Sequence, residues 1–186
     1  MLLYIPVILG TAREGRRSEQ AAKFVLNEMQ KNQEISTELL DVRDYPAAAT
    51  KRKGDGRTIG AVDEKIARAD GYVIVSPEYN HGYPGELKIF LDTYSREYEK
   101  KPVGICGVSN GAYGGVRMVE QLRLVAIDFK MIPIREAVYF ANVETLFNND
   151  GSIKDAAYSA RVQKLLDELI WYAEVLREGR GEYNAV

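Results

Sequence analysis

The sequence predicts an α/β fold in three layers, with a doubly wound, five-stranded parallel sheet between two layers of helices. Apolar runs of strand length alternate with segments of helical spacing five times along the chain, which is the pattern of such sheets. The run 72–75 is apolar at every position and rich in β-branched residues, as strands buried on both faces are. The chain shows no linker or internal repeat, so we expect one domain over residues 1–186.

The composition is that of a globular protein and excludes several classes of function. The chain has 186 residues, 46% hydrophobic and 28% charged, with a formal net charge of −2, so no strong field attracts nucleic acid or acidic membranes. The one cysteine, Cys106, lies in an apolar run and is expected in the core, and one Cys with one His does not make a zinc site. The N-terminal apolar run 2–9 follows no basic segment and is too short to span a bilayer. We therefore expect a cytoplasmic protein without metal, nucleic-acid or membrane partners.

The first half of the chain supplies two strands, one helix and a long loop. The apolar run 2–9 is the first, central strand, and Ser18 suits the N-cap of the helix that follows. The apolar residues on one face of this helix are Ala22, Val25, Leu26 and Met29. Residues 35–42 fit a second strand. Residues 43–60 predict a loop, whose basic run 51–53 is either solvated or part of a cofactor pocket.

The second half begins with a short helix over 62–69 and the buried strand 70–75. We expect this strand to stop before Ser76 and Pro77, because proline cannot donate to a central ladder. Pro84 then suits the first turn of a helix. The remaining predicted elements are a strand over 101–108, a helix carrying Met118, Leu122 and Val125, a strand over 130–140 interrupted at Pro133, and a helix over 154–177 with a frayed tail.

Polar loops follow the first, third and fourth strands, and in such a sheet they meet at the carboxyl edge, where ligands bind. The first of them, residues 10–18, has the parts of a phosphate site. Thr11 and Ser18 offer hydroxyl groups, and the next helix points free N–H groups at the loop. Its forked donors for a phosphate dianion are Arg13, Arg16 and Arg17. The loop matches neither G-x-G-x-x-G nor the P-loop pattern, so the common dinucleotide and nucleoside triphosphate motifs are excluded.

The loop after the third strand carries a family resemblance. Residues 76–88 read SPEYNHGYPGELK and resemble the flavin loop of the NADPH-dependent FMN reductase family, which has a flavodoxin-like fold. The family commonly continues L-K-N-A-x-D, whereas residues 87–92 read LKIFLD here. The resemblance implies a flavodoxin-like sheet with strand order 2-1-3-4-5.

The other two loops resemble the same family. The first resembles its G-[ST]-x-R…S phosphate loop, with Thr11, Arg13 and Ser18 matching and Arg17 as a further ligand. Residues 109–115, SNGAYGG, resemble its S/T-x-G-x-x-G-G segment. Three such loops in one chain make a specific match.

The resemblance implies which residues hold FMN. Residues 77–82 would grip the isoalloxazine, with the backbone N–H groups of this proline-stiffened loop as donors and Tyr79 beside the ring. Gly111 and Gly114 would let the backbone approach its pyrimidine edge. The full predicted set is Thr11, Arg13, Arg17, Ser18, Pro77, Glu78, Tyr79, Asn80, His81, Gly82, Ser109, Gly111, Tyr113 and Gly114. No side chain is expected to be catalytic, His81 included, because the chemistry takes place at N5 of the flavin.

The resulting functional prediction is an enzyme that transfers hydride from NADPH or NADH through FMN to quinones, azo compounds, free flavin or metal ions. As a member of this family it would be a homodimer or homotetramer. One alternative is a flavodoxin-like electron carrier, which the net charge of −2 disfavours because flavodoxins are strongly acidic. Another is an α/β protein that binds a different nucleotide or phosphoester. The absence of Asp or Glu at the end of the first strand disfavours phosphoryl transfer.

Overall fold

A parallel five-stranded sheet forms the middle of the molecule, in the order β4-β2-β5-β6-β7. The computed structural model describes residues 2–45 and 61–184. Strands β1 and β3 pair with each other beside this sheet, and every pairing is parallel. The strands are β1 (Leu3–Tyr4), β2 (Val7–Leu9), β3 (Ile35–Ser36), β4 (Leu39–Asp41), β5 (Tyr72–Pro77), β6 (Pro102–Val108) and β7 (Ile132–Phe140).

Helices cover both faces of the sheet. The α-helices are α1 (Ser18–Gln30), α2 (Ala61–Arg68), α3 (Gly85–Leu91), α4 (Val116–Asp128), α5 (Val143–Leu146) and α6 (Ala157–Asn184), with 3-10 turns at Val42–Asp44 and Arg96–Tyr98. Buried apolar side chains of α1 and α6 pack on one face, and those of α2, α3 and α4 pack on the other. The predicted α/β fold with a parallel sheet and helices on both sides is confirmed.

The first two predicted strands are each divided in two. β1 and β2 are separated by residues 5–6, and β3 and β4 by residues 37–38. Backbone bonds continue across these breaks, since the N–H of Ile5 donates to the carbonyl of Ser36 at 3.0 Å and that of Val7 to Glu38 at 2.9 Å. The two parts of each divided strand therefore still belong to one continuous parallel pairing.

Strand β5 is longer than we predicted from the position of Pro77. It runs to Pro77, which pairs with Val108 of β6, so the expected end before Ser76 is wrong. The reason is the direction of the missing N–H group. Val73 donates towards the first strand, to Pro6, and by alternation position 77 points the same way. Because β2 ends at Leu9, no hydrogen bond is lost there.

Two further boundaries differ from prediction. β7 is continuous through Pro133, because it is an edge strand whose free side needs no donor, and the irregularity is a register shift against β6 between Val103 and Ile105. Pro84 lies at the N-cap of α3 and not inside its first turn. The 3-10 turn Val42–Asp44 occupies the start of the predicted 43–60 loop, and α5 was not predicted.

The C-terminal segment is helical rather than frayed. α6 extends to Asn184, seven residues beyond the predicted end. Arg180 fixes this extension by donating to the carbonyl of Lys100 at 2.7 Å and pairing with Asp70 at 3.3 Å.

Two of the composition-based predictions can be compared with the described residues. Cys106 is buried in the core, as predicted, and its burial raises the pKa of the thiol to about 12. In the described part of the chain, no helix is long and apolar enough to cross a membrane. The predicted loop from residue 46 to residue 60, with its basic run 51–53, lies outside the described residues.

Candidate cofactor site

A cavity of about 440 Å³ opens where the loops after β2, β5 and β6 meet. This size is ordinary for a small-molecule site. A larger hollow of about 880 Å³ lies between α3 and α4, but none of the predicted site residues lines it. The predicted residues that line the smaller cavity are Arg13, Arg17, Ser18, Pro77, Glu78, Tyr79 and Ser109.

The N-terminus of α1 at this cavity is uncapped. The predicted N-cap, Ser18, is wrong, because Ser18 is the first helical residue and Arg17 holds the cap position without a capping hydrogen bond. The Ser18 hydroxyl is buried and has no hydrogen-bond partner among the described residues. Free N–H groups, the helix dipole and the exposed guanidinium groups of Arg13 and Arg17 together favour an anion here.

Arg16, the third arginine of this loop, is occupied elsewhere. Its side chain is 2% exposed, and it donates to the Thr11 carbonyl and to both carboxylate oxygens of Asp41. Burial would raise the pKa of Asp41, but the hydrogen bonds from Arg16 and from the Arg43 backbone, with their positive charges, lower it below its ordinary value. The pair ties the loop to the end of β4. The sequence analysis did not identify this role. Its one sign in the sequence is Asp41, an acidic residue at the end of the neighbouring strand β4.

The Thr11 hydroxyl faces α3. It donates to Oε1 of Glu86 at 2.9 Å, and the N–H of Ala12 donates to the same oxygen at 3.0 Å. The Tyr79 hydroxyl lies 3.2 Å from Thr11 Oγ1. Thr11 is fully buried and does not line the cavity, so its predicted contact with the cofactor phosphate stays a prediction.

Residues Tyr79–Gly82 of the predicted flavin loop form a tight two-residue turn. The N–H of Tyr79 donates to the Gly82 carbonyl at 2.9 Å, and the reverse bond measures 3.0 Å. The two central residues have left-handed backbones, with φ 50° at Asn80 and 70° at His81, as this kind of turn requires. The N–H of Glu78 donates to Val108. Within 78–82, the N–H groups without a described partner are therefore those of Asn80 and His81.

The Glu78 side chain caps a helix. Its Oε2 accepts hydrogen bonds from the backbone N–H groups of Arg117 and Met118, at 3.1 and 3.3 Å, in the first turn of α4. The guanidinium of Arg117 lies 3.5 Å from the other carboxylate oxygen. Glu78 thus joins the flavin loop to α4 and supplies an anion to that N-terminus. Of the two long helices that begin at the site, α4 has such a partner, whereas no described side chain caps α1.

The glycines of the third loop have different surroundings. Gly114 has φ 59°, and a Cβ there would lie 2.7 Å from the backbone carbon of Tyr139 on β7. Its missing side chain therefore admits β7, and the approach of its backbone to the flavin stays a prediction. Gly111 is exposed, and its N–H donates to Ser109 Oγ at 3.0 Å. Tyr113 is 69% exposed.

Two sets of residues differ from the predicted site: lining residues that were not predicted, and predicted residues that do not line the cavity. Val143 and Glu144, in the unpredicted helix α5, line the cavity. The predicted residues that do not line it are Thr11, Asn80, His81, Gly82, Gly111, Tyr113 and Gly114. Among the described residues, no cluster of His, Cys, Asp or Glu could hold a metal ion.

A parallel α/β sheet with an uncapped helix N-terminus, exposed arginines and a rigid aromatic turn at its carboxyl edge defines a protein that binds a phosphate-bearing cofactor. Comparison with known sequences then identifies the group. The chain belongs to the NADPH-dependent FMN reductase family, whose sequence model matches residues 3–145. The predicted family, an oxidoreductase enzyme and the family's cofactors, FMN and NAD(P)H, are thereby confirmed.

Two characterised relatives and one solved structure illustrate the likeness. A quinone reductase of Escherichia coli is 33% identical over 131 residues, which are 67% of this chain and 70% of the relative. An NAD(P)H-dependent FMN reductase of Schizosaccharomyces pombe is 35% identical over 138 residues, 68% of this chain and 67% of the relative. FerB, a flavoenzyme NAD(P)H:(acceptor) oxidoreductase of Paracoccus denitrificans, superposes with a TM-score of 0.78 at 20% identity, over 93% of this chain and 98% of its own. The fold is flavodoxin-like.

Proposed function

We propose that this protein oxidises NADPH or NADH through FMN held in the 440 Å³ cavity and passes the electrons to a quinone. The observation that carries the proposal is the uncapped N-terminus of α1 with the buried, unpartnered hydroxyl of Ser18. A buried polar group without a partner is costly, and a phosphate would supply the missing acceptor. The likeness to a quinone reductase supports the acceptor. Azo compounds, free flavin and metal ions are further candidate acceptors.

The residues present fit FMN. Arg16 is paired with Asp41 and the N-terminus of α4 is capped by Glu78. The donors left for the phosphate are Arg13, Arg17, the Ser18 hydroxyl and the first N–H groups of α1. Arg13, Arg17 and Ser18 all line the cavity and belong to one loop and the helix that follows it, which supports a phosphate position beside that loop.

The flavin loop would hold the ring. The N–H groups of Asn80 and His81 are the free donors for its polar edge, and the Arg13 guanidinium lies 5.5 Å from the centre of the Tyr79 ring, which joins the phosphate and flavin loops. FMN itself supplies the centre that accepts hydride and releases electrons. The chain's residues bind and orient it, and none is assigned a proton transfer.

The function is tested with FMN-loaded protein under anaerobic conditions. NADPH should bleach the flavin absorbance, and a benzoquinone should restore it. A flavodoxin-like carrier, the alternative function, would bind FMN but would not be bleached by NADPH or NADH within the time of the measurement. Failure of the apo-protein to bind FMN would reject both.

The phosphate site is tested by replacing its exposed arginines. Arg13→Ala and Arg17→Ala should each weaken FMN binding about ten- to a hundredfold, because each removes a charge-assisted contact. Titration of apo-protein with FMN measures this. Arg135→Ala is the matched control, since Arg135 is 85% exposed and pairs only with its neighbour Glu136 among the described residues. An unchanged dissociation constant in both variants would place the phosphate elsewhere.

His81 is expected to act through its backbone. His81→Ala should keep FMN bound and slow flavin reduction by NADPH less than about tenfold, whereas loss of an acid–base catalyst costs about 10²–10⁴-fold. Alanine is disfavoured at φ 70° by about 1 kcal/mol, so His81→Asn, which tolerates this backbone, separates strain from chemistry. Rapid-mixing measurement of flavin bleaching decides. A hundredfold loss in both variants with flavin bound would give the imidazole a chemical role.

The domain organisation, the location, the strand order and the assembly of the protein are also proposals. We propose a single cytoplasmic domain with strand order 2-1-3-4-5, obtained by counting β1 with β2 and β3 with β4 as one strand each.

We also propose a homodimer or homotetramer. It is supported by the exposed apolar side chains of Leu124 (71%) and Ile127 (59%) on α4, since exposed apolar surface often marks an interface. Analytical ultracentrifugation tests the assembly.

A further inference from the structure

Glu86 connects two of the cavity loops without lining the cavity. It lies in the first turn of α3, and its Oε1 accepts hydrogen bonds from the Thr11 hydroxyl and the Ala12 N–H, residues about 75 positions earlier in the chain. The backbone N–H of Arg13 in turn donates to Thr11 Oγ1 at 3.3 Å. The Tyr79 hydroxyl lies 3.2 Å from that same atom. One carboxylate oxygen therefore binds Thr11 and Ala12 directly. Through Thr11 Oγ1 it is linked to the Arg13 backbone and to Tyr79 of the flavin loop.

The electrostatics of Glu86 suit this role. Burial would raise the pKa of its carboxyl, but hydrogen bonds from its own backbone N–H, from Ala12 and from the Thr11 hydroxyl lower it below the ordinary value. The group is therefore ionised near neutrality. Among the described residues it forms no ion pair with Lys or Arg, so its acceptor capacity serves the loop rather than a counter-ion.

We propose that Glu86 is a positioning residue for the phosphate of the bound flavin cofactor, and that it acts through Thr11 and Ala12. The proposal rests on the proposed function. Because Glu86 takes the hydrogen of the Thr11 hydroxyl, Thr11 has none to offer a phosphate, and its contribution is the shape of the loop. Without Glu86, the Ala12 N–H loses its acceptor and the fully buried Thr11 hydroxyl keeps the Tyr79 hydroxyl as its neighbour, so the loop is held less firmly. Arg13 and the start of α1 would then no longer point their donors at one place.

Both hydrogen bonds end on one oxygen, which gives a sharp comparison of variants. Glu86→Gln keeps a carbonyl oxygen that can accept both bonds and removes the charge, whereas Glu86→Ala removes the acceptor. The measurement is the dissociation constant of apo-protein for FMN and for riboflavin, which differ only by the phosphate. The ratio of the riboflavin constant to the FMN constant isolates the phosphate contribution. A general loss of folding weakens both ligands and leaves the ratio unchanged.

The expected result is a fall of about tenfold in this ratio for Glu86→Ala and a ratio within about threefold of wild type for Glu86→Gln. Glu120→Ala is the control, since Glu120 is an exposed acid on α4, and it should leave the ratio unchanged. An unchanged ratio in folded Glu86→Ala would overturn the proposal. So would a Glu86→Gln ratio as low as that of the alanine variant.

Thr11→Val provides a second test, and its first part does not depend on how well the alanine variant folds. In the wild-type and Glu86→Gln backgrounds it should lower the ratio about as much as Glu86→Ala does, and an unchanged ratio would overturn the proposal. In the Glu86→Ala background it should add little, because both residues belong to one chain of contacts. Independent, additive losses in that background would mean that Thr11 contacts the phosphate directly, and would overturn the proposal. If wild-type protein binds riboflavin as tightly as FMN, the phosphate site itself is wrong. That outcome rejects the proposed function before any variant is compared, and the role of Glu86 with it.

Discussion

Gly114→Ala is expected to lower the free energy of unfolding by about 2–5 kcal/mol. The left-handed backbone at φ 59° costs a non-glycine residue about 1–2 kcal/mol. The added Cβ would also lie 2.7 Å from the backbone of Tyr139, and overpacking of this kind costs about 1–3 kcal/mol. The obstacle is the main chain of β7, which cannot move aside as the tip of a flexible side chain can. Denaturant-induced unfolding measures the change.

Gly179→Ala is the control for this substitution. Gly179 lies within α6, and a Cβ there meets nothing within 4 Å. Alanine should therefore stabilise the helix, by up to about 1 kcal/mol. Equal stability of the Gly114 variant and wild type would show that the third loop does not rest on β7 as described. The glycine would then be required for the ligand, as the sequence suggested.

The parts of this fold that were predicted depend on local pattern. Uniformly apolar runs such as 72–75 can be buried only between two layers of helices, and the loops that follow parallel strands must open at one edge. These two facts bring residues 10–18, 77–84 and 109–115 towards one cavity. The prolines led to wrong predictions of where β5 and β7 end or break. A strand tolerates a proline when its missing N–H group does not face a neighbouring strand. Pro77 points its missing donor past the end of β2, and Pro133 lies on an edge strand.

What the sequence did not predict is which polar groups bind each other. The residue types of Arg16, Glu78 and Glu86 indicate donors and acceptors, but their partners lie 25, 39 and 75 positions away. Such pairs depend on the register of whole elements, which local pattern does not contain. Ser18 was misplaced for a smaller reason. A serine near a helix start suits either the cap or the first turn, and one residue decides whether its hydroxyl binds the helix or stays free for a ligand.

Under the proposed function, these pairings account for how one loop with three arginines would hold one anion in a defined place. Arg16 neutralises Asp41 and anchors the loop to β4, while Glu86 fixes the Thr11–Arg13 backbone from the other side. Arg16 and Glu86 therefore bind other groups of the protein and not a ligand. The remaining arginines, Arg13 and Arg17, stay exposed at the cavity and available to a ligand.

Arg16→Ala is therefore expected to be the most destabilising change in the phosphate loop, at about 3–5 kcal/mol. Removing one partner of a buried ion pair leaves the other charge poorly compensated. Asp41 has a side chain only 16% exposed, and without Arg16 it keeps the hydrogen bond from the Arg43 backbone and the charge of Arg43. The Thr11 carbonyl also loses the hydrogen bond from Arg16. Unfolding in guanidinium chloride measures the loss, and Arg135→Ala, at an exposed ion pair, should change stability by less than about 1 kcal/mol.

The pH dependence of this variant gives an independent check of the pair. In wild type the pKa of Asp41 is lowered in the folded state, so its contribution to stability is present above the unfolded pKa, near 3.8, and is lost as the pH falls through the lower folded value. In Arg16→Ala, burial, which raises the pKa of Asp41, remains the largest influence, opposed by the hydrogen bond from the Arg43 backbone and by the charge of Arg43. The variant should then gain stability relative to wild type as the pH falls towards 4, because the protonated carboxyl no longer needs a partner. A constant difference in unfolding free energy between the two proteins from pH 7 to pH 4 would show that Asp41 is not the group that Arg16 holds in its charged form.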